Sequence, residues 1–358
     1  MVSAINWLFP SLCQFQEGRG NLEMEIGLAY DLKDNVPLSQ SQPEDALEEY
    51  DSLETVEAIV AALQSLGHSV TLVGGGREFL ANIVQNNVGF VFNIAEGRGN
   101  YCSREAQVPA ILEMLDIPYS GSDPQCLAIC LDKPLTKRLV AISGVPTPSW
   151  KLIITSQQLR EIAWDDFPFP AFVKLAHEGS SKGIRLSSVV ESRGQIAEVV
   201  AEKLEYYRQP IMVEEFIPGD EVTVGMVGNC PPTVLGIMRV LSKEGKTNFV
   251  YSLEVKREWE TMVDYECPAQ LNAGTLQELV DSSLKVFEVL GCRDFARLDF
   301  RVNSEGTPYF LEVNPLAGLN PHSSDLPIMA GKMGWTYRAL ISAILGAALQ
   351  RYPQCVRR

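Results

Sequence analysis

The sequence predicts an α/β unit followed by α+β segments, two or three domains in one chain. Three observations point there. Strand and helix patterns alternate between residues 24 and 93. From residue 151 onward the strands are short and single helices interrupt them. Pro118, Gly121 and Pro124 punctuate a boundary near residue 122.

Residues 1–23 lack the patterning of the rest of the chain and read as a loosely held extension. The first strand opens in Met24-Glu25-Ile26-Gly27-Leu28-Ala29-Tyr30, and polar residues 34–50 then make a loop rich in acids and turn formers. Asp51 and Glu54 have capping-box spacing. Leu53, Val56, Ile59, Val60, Leu63 and Leu66 follow at helical period, and Gly67 stands where a C-cap glycine belongs. Residues 69–73 read as a strand, 77–85 as a helix and 89–93 as a strand, which is a parallel layout. One helix is expected over 104–117, ending at Pro118, and a second over 125–143, closed by Gly144. Strands are expected at 151–155, 171–175, 184–189, 211–216 and 221–227, with a helix at 192–206. Further strands at 234–240, 249–255, 295–302 and 308–313 bracket a helix at 274–290, and a last helix spans 335–351. The expected organisation is therefore an extension (1–23), an N-terminal α/β domain (24–122), a central subdomain (123–214) and a C-terminal subdomain (215–358).

The 358 residues are 46% apolar and 21% charged, an ordinary balance for a packed globular protein. Thirty basic against 45 acidic residues give a net charge of −15. That argues against a general nucleic-acid binder or an anionic-membrane binder, since both need surplus Lys and Arg. The longest apolar run, around 339–349, is too short for a membrane span. No basic segment followed by an apolar one marks a secretory signal. The eight cysteines are scattered, only Cys126 and Cys130 are close, and His68, His177 and His322 lie far apart. This argues against a zinc cluster and for reduced thiols in a cytoplasmic protein.

The run Gly74-Gly75-Gly76 follows a strand but lacks the GxGxxG spacing, because Phe79 stands where the last glycine belongs. Four other pieces carry more chemistry. The strand Phe172-Val173-Lys174 runs into Glu178-Gly179-Ser180-Ser181-Lys182-Gly183. Its glycines, backbone N–H groups and hydroxyls suit phosphate oxygens, although a plain polar hairpin looks the same. An apolar strand ends in the two carboxylates Glu214 and Glu215 before a Pro218-Gly219 turn, and these would offer acceptors to a nucleoside, although solvated acids look the same. In Phe295–Arg301, alternation puts Arg297, Asp299 and Arg301 on one face, as a solvent-facing strand also would. In Tyr309–Pro315, Glu312 and Asn314 share a face. Asp299, Glu312 and Asn314 are hard oxygen donors, suited to magnesium rather than to zinc or iron. Together with the lysines they read as an ATP site.

Taken in order, Asp132-Lys133…Lys137, Lys174…Ser180-Ser181…Gly183, Glu214-Glu215-Phe216…Gly219…Glu221, Ala296-Arg297…Asp299 and Glu312…Asn314-Pro315…Gly318 resemble the ATP-grasp ligases. Among these they are most similar to the D-alanine:D-alanine ligase group, from about Val88 to the C-terminus. The resemblance implies an ATP-grasp fold, with two α+β units clasping ATP behind an N-terminal α/β unit. It implies that Lys133, Lys174 and Ser181 bind ATP phosphates. Glu214, Glu215, Phe216, Ile217 and Glu221 would contact adenine and ribose, and Asp299, Glu312 and Asn314 would hold two magnesium ions, manganese being an alternative. A substrate carboxylate would attack the γ-phosphate, and an amine would then attack the acylphosphate. Arg297 and the Gly318 N–H would stabilise the oxyanion. Ser180 and Lys256 would lie in lid segments 178–183 and 248–260, and Ser324 would receive the second amino acid's carboxylate. The implied partners are small amino acids, with no nucleic acid and no membrane, in the cytoplasm and in peptidoglycan biosynthesis. A homodimer stays open.

The match departs from the group at the first amino acid. The usual glutamate after the first strand is absent, and Asp31 or Glu96 stands as its replacement. Arg257 replaces a tyrosine, and either aims at an acidic substrate group or anchors the lid. D-alanine is the leading substrate for both positions. A peptide or amide ligase of secondary metabolism and a non-catalytic ATP-binding module are the other readings. The intact set of Lys133, Lys174, Arg297, Asp299, Glu312 and Asn314 argues against the last.

Overall fold

A computed structural model describes residues 23–36, 42–245 and 249–356. The expected extension lies outside the described residues except for Glu23. The N-terminal unit contains β1 (Glu25–Ala29), α1 (Leu53–Ser65), β2 (Ser69–Gly74), α2 (Gly76–Gln85), β3 (Phe90–Asn93) and α3 (Gln107–Met114). Its three strands are parallel in the order β2-β1-β3. The cap of α1 is Ser52, whose Oγ accepts from Thr55 N. Asp51 instead pairs with Leu32 in an isolated parallel bridge. Gly67 follows the helix at φ +91, as a left-handed terminator should.

The expected helix over 125–143 is two helices, α4 (Pro124–Leu131) and α5 (Lys133–Ile142). Pro134 explains the break. It has no N–H to donate back to the end of α4 and its ring crowds the preceding turn, whereas near the start of a new helix neither matters. Asp132 sits between the helices and caps α5 through Leu135 N at 3.0 Å. The break is what presents Lys133 at a helix start.

The central sheet contains β4 (Trp150–Ile153), β5 (Ala171–Leu175), β6 (Val189–Val190) and β7 (Ile211–Glu215), with α6 (Ser156–Glu161) and α7 (Arg193–Tyr207) beside it. It is antiparallel in the order β4-β7-β5-β6. The strand expected at 184–189 shrinks to the two-residue β6, preceded by a 3-10 turn at Leu186–Ser188.

The last unit has β8 (Asp220–Val227), β9 (Thr233–Ser242), α8 (Leu253–Arg257), α9 (Trp259–Met262), β10 (Val263–Glu266), α10 (Ala273–Val289), β11 (Phe295–Val302), β12 (Pro308–Asn314), α11 (Asp325–Lys332) and α12 (Tyr337–Arg351). Its sheet runs β10-β9-β8-β11-β12. The strand expected at 249–255 is not there. Buried Leu253 and Val255 imitate strand alternation, but they sit in the short helix α8, entered from Ser252. Sequence patterning also missed β10 and α11. Helix α12 returns to the N-terminal unit, where Leu340, Ile341 and Ile344 share one core with Ile59, Leu63 and Phe92.

Candidate active site

The site grows from the register of β11 and β12. Arg297 stands opposite Asn314, and Asp299 opposite Glu312. The face that could have been a solvated one is the floor of a cleft between the two antiparallel sheets. The Arg297 guanidinium holds Asp299 (NH2 to Oδ2, 2.9 Å) and Asp325 (NH1 to Oδ2, 3.2 Å). Thr223 Oγ1 donates to the other Asp299 oxygen at 2.9 Å. Burial raises the pKa of Asp299, and nearby Glu312 adds to the rise against the pull of Arg297. Burial acts on Glu312 in the same sense, but Lys133, Lys174 and Arg297 outweigh it and hold its carboxyl at about 2. Lys133 Nζ lies 3.5 Å from Glu312 Oε2 and donates to the Glu178 carbonyl.

Lys174 enters from β5 in the opposite sheet. Its Nζ is 2.6 Å from Glu214 Oε1, and Lys137 Nζ is 3.0 Å from Glu214 Oε2. Glu214 is buried, and both its oxygens serve lysines. This carboxylate therefore positions Lys174 while lining the cleft in which its contact with adenine or ribose is expected. Phe216, Ile217, Phe172, Ile184, Val250 and Leu311 give the cleft an apolar wall. Arg301, exposed to 4%, braces that wall. It donates to the carbonyls of Ile217 (2.6 Å), Gly219 (2.8 Å) and Phe249 (2.9 Å), and lies over the Phe216 ring at 4.5 Å. Glu215 lines the cleft and its backbone N–H donates to Ser149 O. Burial pushes Glu221 up to about 7 against the opposing pull of Arg301.

The 178–183 turn closes the cleft from above. Ser180 and Ser181 both have positive φ, +48 and +57. Two successive left-handed residues without glycine cost on the order of 1–3 kcal/mol each, so their surroundings must impose them. Ser181 Oγ donates to Tyr251 O at 3.1 Å, Gly179 N donates to Glu49, and Gly183 N donates to Asp45 Oδ2 at 2.9 Å.

A second pocket adjoins the first and is lined by Glu96, Arg257, Asn314, Gly318 and Ser324, among others. Asn314 lines this second pocket, and its Oδ1 accepts from Leu316 N at 3.1 Å. A side chain at Gly318 would place Cβ 2.8 Å from Ser324 Oγ, which explains the glycine. Ser324 Oγ accepts from Asn320 N at 3.1 Å, leaving its hydrogen to donate into the pocket. Glu96 faces this pocket, its pKa well above the ordinary carboxylate range through burial and the nearby charges of Glu105 and Glu49. Asp31, the other candidate for the missing glutamate, is fully buried and held by Arg98 at 2.9 Å and by Gly97 N at 2.9 Å. It does not reach the pocket wall.

Known proteins are similar to this chain in sequence and in fold. The family model described as D-ala D-ala ligase C-terminus matches residues 139–346. A D-alanine–D-alanine ligase of Aquifex aeolicus is 35% identical over 299 residues, covering 82% of this chain and 94% of that protein. The chain belongs to the D-alanine–D-alanine ligase family. An uncharacterized protein of Sinorhizobium fredii is 34% identical over 305 residues, covering 83% of this chain and 88% of its own. The crystal structure of a Bacillus anthracis D-alanine–D-alanine ligase complexed with ATP superposes with a TM-score of 0.70 at 22% identity. It covers 92% of this chain and 99% of its own, and shows that the fold is shared. The ATP-grasp architecture expected from the motifs is thus the one observed.

Several features of this family member were not legible in its motifs. The acidic loop before α1 is no solvated linker. Glu49 pairs with Arg104 at 2.6 Å, and Arg104 also reaches Glu178 at 3.2 Å, so the N-terminal unit is tied to the 178–183 turn. Asp45 is buried and also accepts from Tyr207 Oη at 2.9 Å. Nothing in a run of acids separates this from a surface loop before the partners are known. Cys292 also joins Cys126 and Cys130, which corrects the picture of scattered thiols. The three buried sulfurs lie within 4.8 Å of one another, although 162 residues separate Cys130 from Cys292 in sequence.

Arg257 sits at the rim of the second pocket, half-exposed, with Nε 3.2 Å from Glu48 Oε1. This geometry favours the lid anchor over a guanidinium aimed at substrate. Exposed pairs of this kind contribute about 0–1 kcal/mol. Arg257→Ala is therefore expected to leave amino-acid preference unchanged and to lower the melting temperature by no more than a few degrees. A substrate screen with a melting curve checks both, and a changed preference would restore the pocket role.

Proposed function

We propose that the chain is an ATP- and magnesium-dependent ligase that joins two amino acids through an acylphosphate, with D-alanine the leading substrate at both positions. One observation carries this reading: Asp299 and Glu312 face each other across β11 and β12, beside Lys133 and across the cleft from Lys174. The donors fit a hard divalent cation. They are oxygens, and Glu312 is held ionised at about 2, as a ligand must be. Asp299 and Glu312 also raise each other's cost of ionisation, which a cation between them would relieve. Magnesium or manganese, held by Asp299, Glu312 and Asn314, would neutralise the phosphate charge that otherwise repels an attacking carboxylate.

The protein's own groups supply the rest. The apolar wall around Phe216 suits a flat base, and Lys133 and Lys174 suit phosphate oxygens. Ser180, Ser181 and Lys256 cover the reacting centre, where water would hydrolyse an acylphosphate. Arg297 and the Gly318 N–H would stabilise the oxyanion of the amine attack. Ser324 would take the second substrate's carboxylate, and Glu96 the first substrate's ammonium. Among the described residues no helix is long and apolar enough to cross a membrane. A cytoplasmic site of action agrees with the free cysteines.

The test is phosphate release over pairs of D- and L-amino acids, with mass spectrometry of the product. Release requiring ATP, a divalent cation and an amino acid, with a dipeptide product, is the expected result. Tight ATP binding without release for any pair would leave a nucleotide-binding module instead.

A further inference from the structure

The nucleotide cleft and the second pocket meet at four side chains: Ser180, Lys256, Arg297 and Asp325. Two are cations and one is a hydroxyl. Among the described residues Asp325 is the one carboxylate shared by both pockets, where phosphorylated acid and attacking amine must come together. We propose that Asp325 takes the proton from the amine of the second amino acid as that amine attacks. The proposal rests on the ligase reading above.

Asp325 is 6% exposed. Its Oδ2 is fixed by Arg297 at 3.2 Å, and its Oδ1 has no hydrogen-bond partner among the described residues. An orphaned buried carboxylate oxygen is costly and calls for a donor. The fold holds it there firmly. Helix α11, which begins at Asp325, lies on β8 and β9 directly over a cross-strand pair of glycines, Gly225 and Gly236. A Cβ on Gly225 would fall 2.8 Å from Leu326 and 2.7 Å from Met329, and one on Gly236 would fall 2.9 Å from Met329. The missing side chains let the helix approach, and the approach delivers Asp325 to the junction. The next residue back is Ser324, so an amino acid whose carboxylate is bound by that hydroxyl has its amine within the same neighbourhood.

The neutral amine forms the new C–N bond at the acyl carbon, and its nitrogen becomes positively charged and acidic. Asp325 Oδ1 accepts one N–H proton. The C–O bond to phosphate then breaks with its electron pair, and the departing phosphate oxygen takes that proton from Asp325. The products are the amide and hydrogen phosphate, and Asp325 is again a carboxylate. Because Asp325 lines both pockets, one group can serve both transfers.

The experiment uses the full chain with ATP, magnesium and the amino-acid pair found in the screen. Dipeptide formation is compared with hydroxamate formation, in which hydroxylamine replaces the second amino acid. Hydroxylamine attacks acylphosphates without assistance, so it reports activation alone. Asp325→Asn is expected to slow dipeptide formation about 10²-fold while hydroxamate formation changes less than about threefold. Equal losses in both assays, or an unchanged dipeptide rate, would overturn the assignment. Should Asp325→Asn melt too low to assay, Asp325→Ser carries the same comparison, and the same results support or overturn the role. A wild-type chain that releases no phosphate with any amino acid sinks the ligase reading first, and this proposal with it.

Discussion

Arg297→Ala is expected to lower the rate of product formation about 10²–10³-fold, the usual cost of removing one donor from a developing oxyanion. The guanidinium does more than donate. It bridges Asp299 and Asp325, at 2.9 and 3.2 Å, and its own side chain is only 12% exposed. Without it, two carboxylates in the cleft lose their shared cation, and burial already raises the pKa of Asp299. Arg297→Lys should recover little, since an ammonium is a point charge and cannot serve two carboxylates with a planar fork. Steady-state kinetics of phosphate release check both variants. A loss below tenfold in the alanine variant would remove Arg297 from the reacting centre.

Glu214→Ala is expected to destabilise the chain by about 3–5 kcal/mol, the cost of breaking a buried pair and leaving a charge uncompensated. Here two ammonium groups are left, Lys137 at 0% and Lys174 at 4% side-chain exposure. At roughly 2–4 °C per kcal/mol, the melting temperature should drop on the order of 10 °C. Burial costs the Lys137 ammonium more than Glu214 returns, so its pKa stands at about 8 even with the partner present. Burial also opposes ionisation of Glu214, but the two lysines outweigh it and hold its pKa below the ordinary 4.5. Its stabilising contribution is therefore full above pH 4.5 and fades as the pH falls through its own lower value. The gap between wild type and Glu214→Ala should narrow in acid. Melting curves at neutral pH and below 4 test this, and a variant that melts like the wild type at neutral pH contradicts it.

How much of the site could be read from the chain depends on how each residue gets its role. Asp299 and Glu312 were legible because strand alternation is local: each lies two residues from a marker on the same face, Arg297 and Asn314. Lys133 was legible from its motif, but not the reason it points into the cleft, which is the helix break at Pro134. The hold of Glu214 on Lys137 and Lys174 was not legible, because those lysines lie 77 and 40 residues earlier in the sequence. The 249–255 segment was misread because Leu253 and Val255 are buried by tertiary contacts while the backbone is helical.

The sequence by itself determined the family, the order of the α/β and α+β units, and the oxygen donors and lysines of the cleft. These follow from short-range spacing, where two or four residues fix which face a side chain takes. Only the tertiary structure decided that the acidic loop clamps the 178–183 turn, that Glu214 serves two lysines, and that Asp325 stands at the meeting of two pockets. Each of those depends on a charge finding its partner across sheets, and Coulomb and desolvation energies act through space rather than along the chain.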